Sequence, residues 1–251
     1  MREKQIRLLD TLDEYGYDIF SLDMLKGKLP DSMIKQGIRS LTDSGMLVKL
    51  ERGKYRRKNF LEDFVIANFL SPDGGIAYWS ALNSYGLTEQ FPNVIFVQTA
   101  LQKNYLSDYP KIKFIKVNKR KLTGYSERGW GNHKYKITDV EKTIADCFDM
   151  PRHCGWYQEI IKAFNKAELS AVKLIRYCKA INNLSAVKRM AYLSELLNKP
   201  GMERFLVYAR NSIENEYSLF ETGGEKTGIK NNKWKLILNI PEDEILEIAN
   251  S

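Results

Sequence analysis

Ser32, Lys35, Gln36 and Arg39 fall on one side of a short segment whose other side carries Ile34, Ile38 and Leu41. A helix turning about 100° per residue separates the two sets, so the apolar side packs and the polar side stays free. Arg and Gln on a free helical face suit guanine and adenine respectively. Each offers paired groups that match the base edge exposed in a duplex major groove. Six cations follow closely, Lys49, Arg52, Lys54, Arg56, Arg57 and Lys58, against the single acid Glu51. A cluster of that kind neutralises phosphates and fixes orientation rather than reading sequence.

The elements that must hold these residues can be read from the same stretch. Ile6, Leu9 and Leu12 predict a first helix over 5–16 with one buried stripe. Ser21-Leu22-Asp23 opens a short second helix with Ser21 as its N-cap. Beyond Pro30-Asp31 a third helix runs over 32–44 and stops at Gly45, a suitable residue past a helix end. Strands at 46–50 and 54–58 are joined by Glu51-Arg52-Gly53, a favoured hairpin loop. Three helices and a basic hairpin in this order make a winged helix-turn-helix over residues 1–58, with double-stranded DNA as the expected ligand. The bland alternatives are a solvated helical face beside a basic loop, and a winged helix that docks protein.

Charge is unevenly distributed. Residues 1–58 hold 13 Lys and Arg against 9 Asp and Glu, residues 59–99 none against 4, residues 100–136 ten against 2, and residues 137–251 sixteen of each. The net charge of +8 therefore comes from two places, the winged helix and a central stretch, and clustered positive charge attracts polyanions. The central stretch includes Lys111, Lys113, Lys116, Lys119, Arg120 and Lys121, interleaved with possible stacking platforms at Tyr105, Tyr109, Tyr125, Trp130 and Tyr135. Lys111 and Lys113 share a strand face. A lysine-rich edge that blocks aggregation is the competing reading.

The remainder, 59–251, reads as a mixed α+β domain entered through a packed linker helix at 59–70. A helix is expected over 76–85, and strands over 94–99, 112–117 and 134–137. Thr138-Asp139-Val140-Glu141 has capping-box spacing and opens a helix through Phe148. Helices near 155–167, 170–181, 185–198 and 201–210 follow, then a strand at 233–239 and a short helix from Pro241. The fold class is thus α+β, a winged helix-turn-helix followed by a larger mixed domain. A content of 43% hydrophobic and 28% charged residues belongs to a globular chain, not a disordered one. The start lacks the apolar core of a signal peptide and no apolar run has membrane-spanning length, so a cytoplasmic protein with no membrane partner is expected.

Catalytic machinery is sparse. There is no phosphate-binding loop of P-loop spacing and no Gly-x-Ser-x-Gly elbow. The two histidines, His133 and His153, give little scope for a hydrolytic triad. Cys147, His153 and Cys154 lie close together without paired Cys-x-x-Cys spacing, so buried thiols are expected rather than zinc. Asp139, Glu141, Lys142 and Asp146 carry the residue types of a metal-dependent nuclease. Within one helix, however, Asp139 and Glu141 point apart, and Lys142 and Asp146 make a helix-supporting i,i+4 pair. No enzyme, cofactor or metal is expected.

Residues 76–90, IAYWSALNSYGLTEQ, resemble the "tryptophan–x–alanine–leucine … glycine–leucine" helix of AbiEi-type antitoxins. Phe91-Pro92-Asn93-Val94-Ile95-Phe96-Val97 is similar to the strand that follows it, and 139–149, DVEKTIADCFD, to that family's "glutamate–lysine–threonine … aspartate" helix, continued by Pro151-Arg152-His153-Cys154-Gly155. With the winged helix the resemblance spans nearly the whole chain, although beyond about residue 155 it rests on helical character. It implies an antitoxin of an AbiE, type IV, toxin–antitoxin system associated with abortive phage infection. The winged helix would bind inverted repeats in operator DNA and repress the operon. The carboxy-terminal domain would counter a neighbouring nucleotidyltransferase toxin without requiring a stable complex, with the basic set Lys111 to Lys121 as its candidate surface. A nucleotidyltransferase would itself need a Gly-Ser start, and no Gly-Ser dipeptide occurs here. The alternatives are a metal-dependent nuclease and a ligand-sensing transcription factor, each with a winged-helix reader.

Overall fold

The computed structural model describes residues 3–105 and 110–251, so Tyr109 lies outside the described residues. The chain forms two compact units. Unit 1 comprises Met1–Pro72 with Arg128–Tyr135, and unit 2 comprises Asp73–Glu127 with Lys136–Ser251.

Unit 1 contains α1 (Glu3–Glu14), β1 (Ile19–Ser21), α2 (Leu22–Leu25), α3 (Asp31–Asp43), β2 (Leu47–Glu51), β3 (Lys54–Arg57) and α4 (Asp63–Leu70). The three strands form an antiparallel sheet in the order β1-β3-β2. This is a winged helix-turn-helix with β1 closing the back of the wing. The core gathers Leu8 and Leu12 of α1, Phe20, Leu25, Ile34, Ile38, Leu41 and Leu47. The α1 stripe differs from expectation: Leu8 and Leu12, one turn apart, are buried, Leu9 is only partly so, and Ile6 is exposed. β1 escaped notice because a three-residue strand is too short to show alternation.

Unit 1 extends past the expected limit at residue 58 because its last strand does not end the packing. Arg56 Nη1 donates to the carbonyls of Arg57, Lys58 and Phe60, and Lys54 Nζ reaches the Phe69 carbonyl at 3.1 Å. Residues 128–135 complete the unit. Asn132 donates to the carbonyls of Tyr15 and Gly16 at 2.8 and 3.2 Å, and His133 lies 3.1 Å from Asp18 and 3.4 Å from Glu62. Phe60 packs on the His133 ring and Phe64 on Tyr135.

Unit 2 begins with β4 (Gly75–Ile76), α5 (Tyr78–Ser84), β5 (Ile95–Thr99) and β6 (Ile112–Lys116). β7 (Tyr125–Arg128) and β8 (Tyr135–Thr138), whose outer ends group with unit 1, complete a five-stranded sheet in the order β6-β5-β4-β8-β7. β5 and β6 are parallel, with Phe96 beside Lys113 and Gln98 beside Ile115. Then come α6 (Val140–Asp149), α7 (Tyr157–Lys166), α8 (Ala171–Ile181), α9 (Leu184–Leu196) and α10 (Glu203–Ser212). A second sheet in the order β10-β11-β9, from β9 (Ser218–Leu219), β10 (Ile229–Asn231) and β11 (Leu236–Leu238), precedes α11 (Glu242–Asn250). α6 is buried from Glu141 through Phe148 and packs against α5, α7, α8 and α9. Its N-cap is Asp139, whose carboxylate accepts from the Lys142 N–H at 2.9 Å, not Thr138 as the capping-box spacing implied. Thr138 instead ends β8 with its hydroxyl turned to Thr143. Among the described residues no helix is long and apolar enough to cross a membrane.

Candidate nucleic-acid interface

α3 is held from behind. Ile34, Gly37, Ile38 and Leu41 are buried, and a side chain at position 37 would meet Leu8 Cδ2 at 3.0 Å and the Lys4 carbonyl at 3.2 Å. Glycine thus lets α1 and α3 approach without a tight contact at this position. Gln5 donates to Ser40 at 2.7 Å across the same seam. Ser32, Lys35, Gln36 and Arg39 are all exposed on the opposite face. Lys4 donates to the Gln36 side-chain oxygen, and Arg39 stands 3.9 Å from Asp43, a loose contact at 86% and 72% exposure.

The wing divides the expected cations into two groups. Lys49, Arg52 and Lys58 are exposed, Arg52 lying in the two-residue turn between β2 and β3. The other three point into the fold. Arg56 is 6% exposed and satisfies three carbonyls where the chain turns after β3. Arg57 binds Asp13 at 2.5 Å and Asp18 at 3.4 Å, and Lys54 binds Glu51 at 2.9 Å. Burial of Arg56 corrects its expected phosphate-binding role, while Arg57 and Lys54 are half-buried and already ion-paired. Arg56 and Arg57 are consecutive on β3 and so lie on opposite faces, and on each face the adjoining chain supplies carbonyls or carboxylates that recruit the cation. Between α3 and the wing lies a concavity of about 270 Å³ lined by Leu22, Lys35, Ile38, Arg39, Thr42, Asp43, Lys49 and Tyr55. Lys35, Arg39 and Lys49 give its rim three cations against one carboxylate.

The second basic region is not one surface. Alternation on β6 puts Lys111 and Lys113 on the face shared with Phe96, and Lys116 on the opposite face beside Phe114. Lys119 and Arg120 are exposed in a 3-10 turn at Lys119–Lys121. Lys121 is drawn inward to Asp149 at 2.6 Å, so it leaves the expected basic set. Of the expected aromatic platforms, Tyr105 and Trp130 are exposed, Tyr125 donates to Gln98 at 3.3 Å, and Tyr135 packs on Phe64.

The charged residues of the acidic helix divide into a group at its amino-terminal end and a buried pair. Asp139 caps α6 and accepts from Tyr177 at 2.6 Å, while Glu141 accepts from the Ser170 N–H at 3.0 Å and from Lys173 at 3.3 Å. Lys142 and Asp146 pair as expected, but at 0% and 1% exposure, and Gln98 Nε2 ties Asp146 to β5 at 2.7 Å. Burial pushes the Asp146 carboxyl up to about 6, opposed by Lys142. Asp139 and Glu141, expected to point apart, instead share Lys173 at 3.6 and 3.3 Å, whereas Asp146 is buried against Lys142; among the described residues no group of three His, Cys, Asp or Glu could hold a metal ion. Cys147, Cys154 and Cys178 are buried free thiols.

Sequence reasoning gave no role to a group beside β6. His153 is buried between the rings of Tyr78 and Phe96, at 5.4 and 6.0 Å, and Arg152 Nε approaches its Nε2 at 3.3 Å. Burial, then the charges of Lys113 and Arg152, hold its pKa down at about 4. Tyr78 takes φ +55°, which side-chain-bearing residues rarely adopt, and is held there by complete burial and a 3.3 Å contact from its hydroxyl to Met150. Pro-Arg-His-Cys spacing could have flagged the group, since a cation next to a histidine in a tight turn forces one of them outward.

No protein-family model matches the sequence, and no curated protein matches it. The fold is similar to that of the RV2827C protein from Mycobacterium tuberculosis, with a TM-score of 0.69 and 16% identity, over 100% of this chain and 96% of that one.

Proposed function

We propose that the protein is an antitoxin and autorepressor of a toxin–antitoxin operon, not an enzyme. It binds operator DNA at inverted repeats through α3 and the wing, and counters a nucleotidyltransferase toxin through unit 2. The observation that carries the DNA reading is the exposed Ser32, Lys35, Gln36 and Arg39 face of α3, set beside a concavity rimmed by Lys49 of the wing. The antitoxin reading rests on the resemblance of 76–97 and 139–155 to AbiEi-type proteins. Phosphate contact then comes from Lys35, Lys49, Arg52 and Lys58.

A mobility-shift titration of the full chain with its own promoter tests the repressor. The complex should weaken steeply with salt, with a log–log slope of about −0.9 per phosphate neutralised. Absence of a complex at low salt defeats this part of the reading. Co-expression of the full chain with the product of the adjacent toxin gene tests the other part, and growth that is not restored defeats it.

A further inference from the structure

We infer that unit 2 carries a single-stranded nucleic-acid site of its own, at the corner formed by β6, the turn at Pro151–His153 and Trp156. It deepens the antitoxin reading by naming a ligand chemistry for part of the basic set, yet it stands on residues that the DNA-reading face does not use. Lys111 and Lys113 project from one face of β6, the outermost strand of its sheet. Arg152 is exposed on the same corner as Lys113: its Nε lies 3.3 Å from His153, and His153 packs at 6.0 Å on the Phe96 ring that Lys113 overlies. None of the three cations has a carboxylate partner among the described residues. Phe96 floors the group, with Lys113 Nζ 5.7 Å above its ring.

Exposed aromatic surface follows in the chain directly after the Pro151–His153 turn. Trp156, three residues beyond His153, is 74% exposed at the start of α7. Thr88 donates to Glu159 in the first turn of α7 at 2.5 Å, drawing the 88–91 loop and the exposed Phe91 toward that helix end. Beneath lie two buried nitrogens without hydrogen-bond partners, Trp79 Nε1, whose ring abuts Gly155, and His153 Nδ1. Both atoms are sealed from solvent, so they belong to the floor of the corner and not to its contact surface. An acidic protein would need the cations alone, whereas cations and an exposed indole face together match phosphates and a stacked base.

Fluorescence anisotropy of a labelled single-stranded RNA of about 15 nucleotides, titrated with the full chain, tests the site. The double variant Lys113→Ala, Arg152→Ala should reduce the salt slope of RNA binding by about 1.4, at about 0.7 per phosphate contact on a single strand. Trp156→Ala should weaken RNA binding roughly tenfold with the slope unchanged, and leave binding of inorganic polyphosphate as it was. All the changed side chains are exposed, and melting curves identical to wild type verify the fold. RNA affinity and slope that match wild type in both variants overturn the proposal. So does equal loss of RNA and polyphosphate binding in Trp156→Ala. Loss of antitoxicity with RNA binding intact would assign the corner to an acidic protein and likewise overturn it. Operator binding, read in parallel with Arg39→Ala, fails or survives independently.

Discussion

Two helices each carry a cation and an acid four residues apart, and the two pairs occupy opposite media. On α3, Arg39 and Asp43 are almost fully exposed and 3.9 Å apart; on α6, Lys142 and Asp146 are fully buried in contact. The spacing is identical, so it reports only that two side chains can meet. Water decides the rest. Exposed pairs contribute little because solvent screens them and ordering two long side chains opposes the gain. Buried pairs cannot lose one partner without leaving a charge in a medium that does not solvate it. The first arrangement leaves Arg39 available to a ligand; the second makes Lys142 part of the fold.

The sharpest way to break this contrast is Asp146→Ala. It should destabilise the protein by about 3–5 kcal/mol in chemical denaturation, because Lys142 is left buried and unpaired. A loss below about 1 kcal/mol would mean that Lys142 reaches water and the two pairs are alike. Next, Arg56→Ala should cost about 1–3 kcal/mol of stability by stripping donors from three carbonyls, whereas Arg52→Ala should weaken DNA binding and leave the melting curve in place. Arg39→Ala should cost about 1–3 kcal/mol in operator affinity and relax preference at one base position, read by selection from a randomised operator.

A pH series separates the buried groups. The Asp146 carboxyl is raised to about 6 from the usual 3.8, so the folded chain holds this proton more tightly than the unfolded one. Its contribution is largest in acid and is lost as pH rises from about 4 to about 6, a loss that Asp146→Asn should abolish. His153 runs the other way, lowered to about 4 from 6.5, so its contribution is present above pH 6.5 and is lost as pH falls toward 4. His153→Phe should flatten that limb of the stability curve. The smallest effect is expected for Asp43→Ala, within about 0.5 kcal/mol of wild type.

Periodicity made the long elements legible. The order of the winged helix, the buried Ile34, Ile38 and Leu41, and helices such as α7 and α8 could be read because apolar spacing over three turns has one reading. β4, β9 and β10 could not, since two or three residues show no alternation. The expected binding residues split for a related reason. Charge can be counted in a sequence, but the side of a strand that faces returning chain cannot. Thus Lys49 and Arg52 stayed outward while Arg56, Arg57 and Lys121 turned to carbonyls and carboxylates. The pairing on α6 was legible but its burial was not: Asp139, Lys142, Asp146 and Asp149 recur at helical spacing like a solvated stripe, and only the helices packed around α6 exclude water from it.

The chain passes between its two units three times, at 72/73, 127/128 and 135/136. A single recombination breakpoint after Pro72 would therefore not transplant the whole of unit 1. It would leave Asn132 and His133 behind, and with them the hydrogen bonds to Tyr15, Gly16 and Asp18. Under the proposed function, a change of operator would come by point change on the outward face of α3 and not by exchange of residues 1–72 alone.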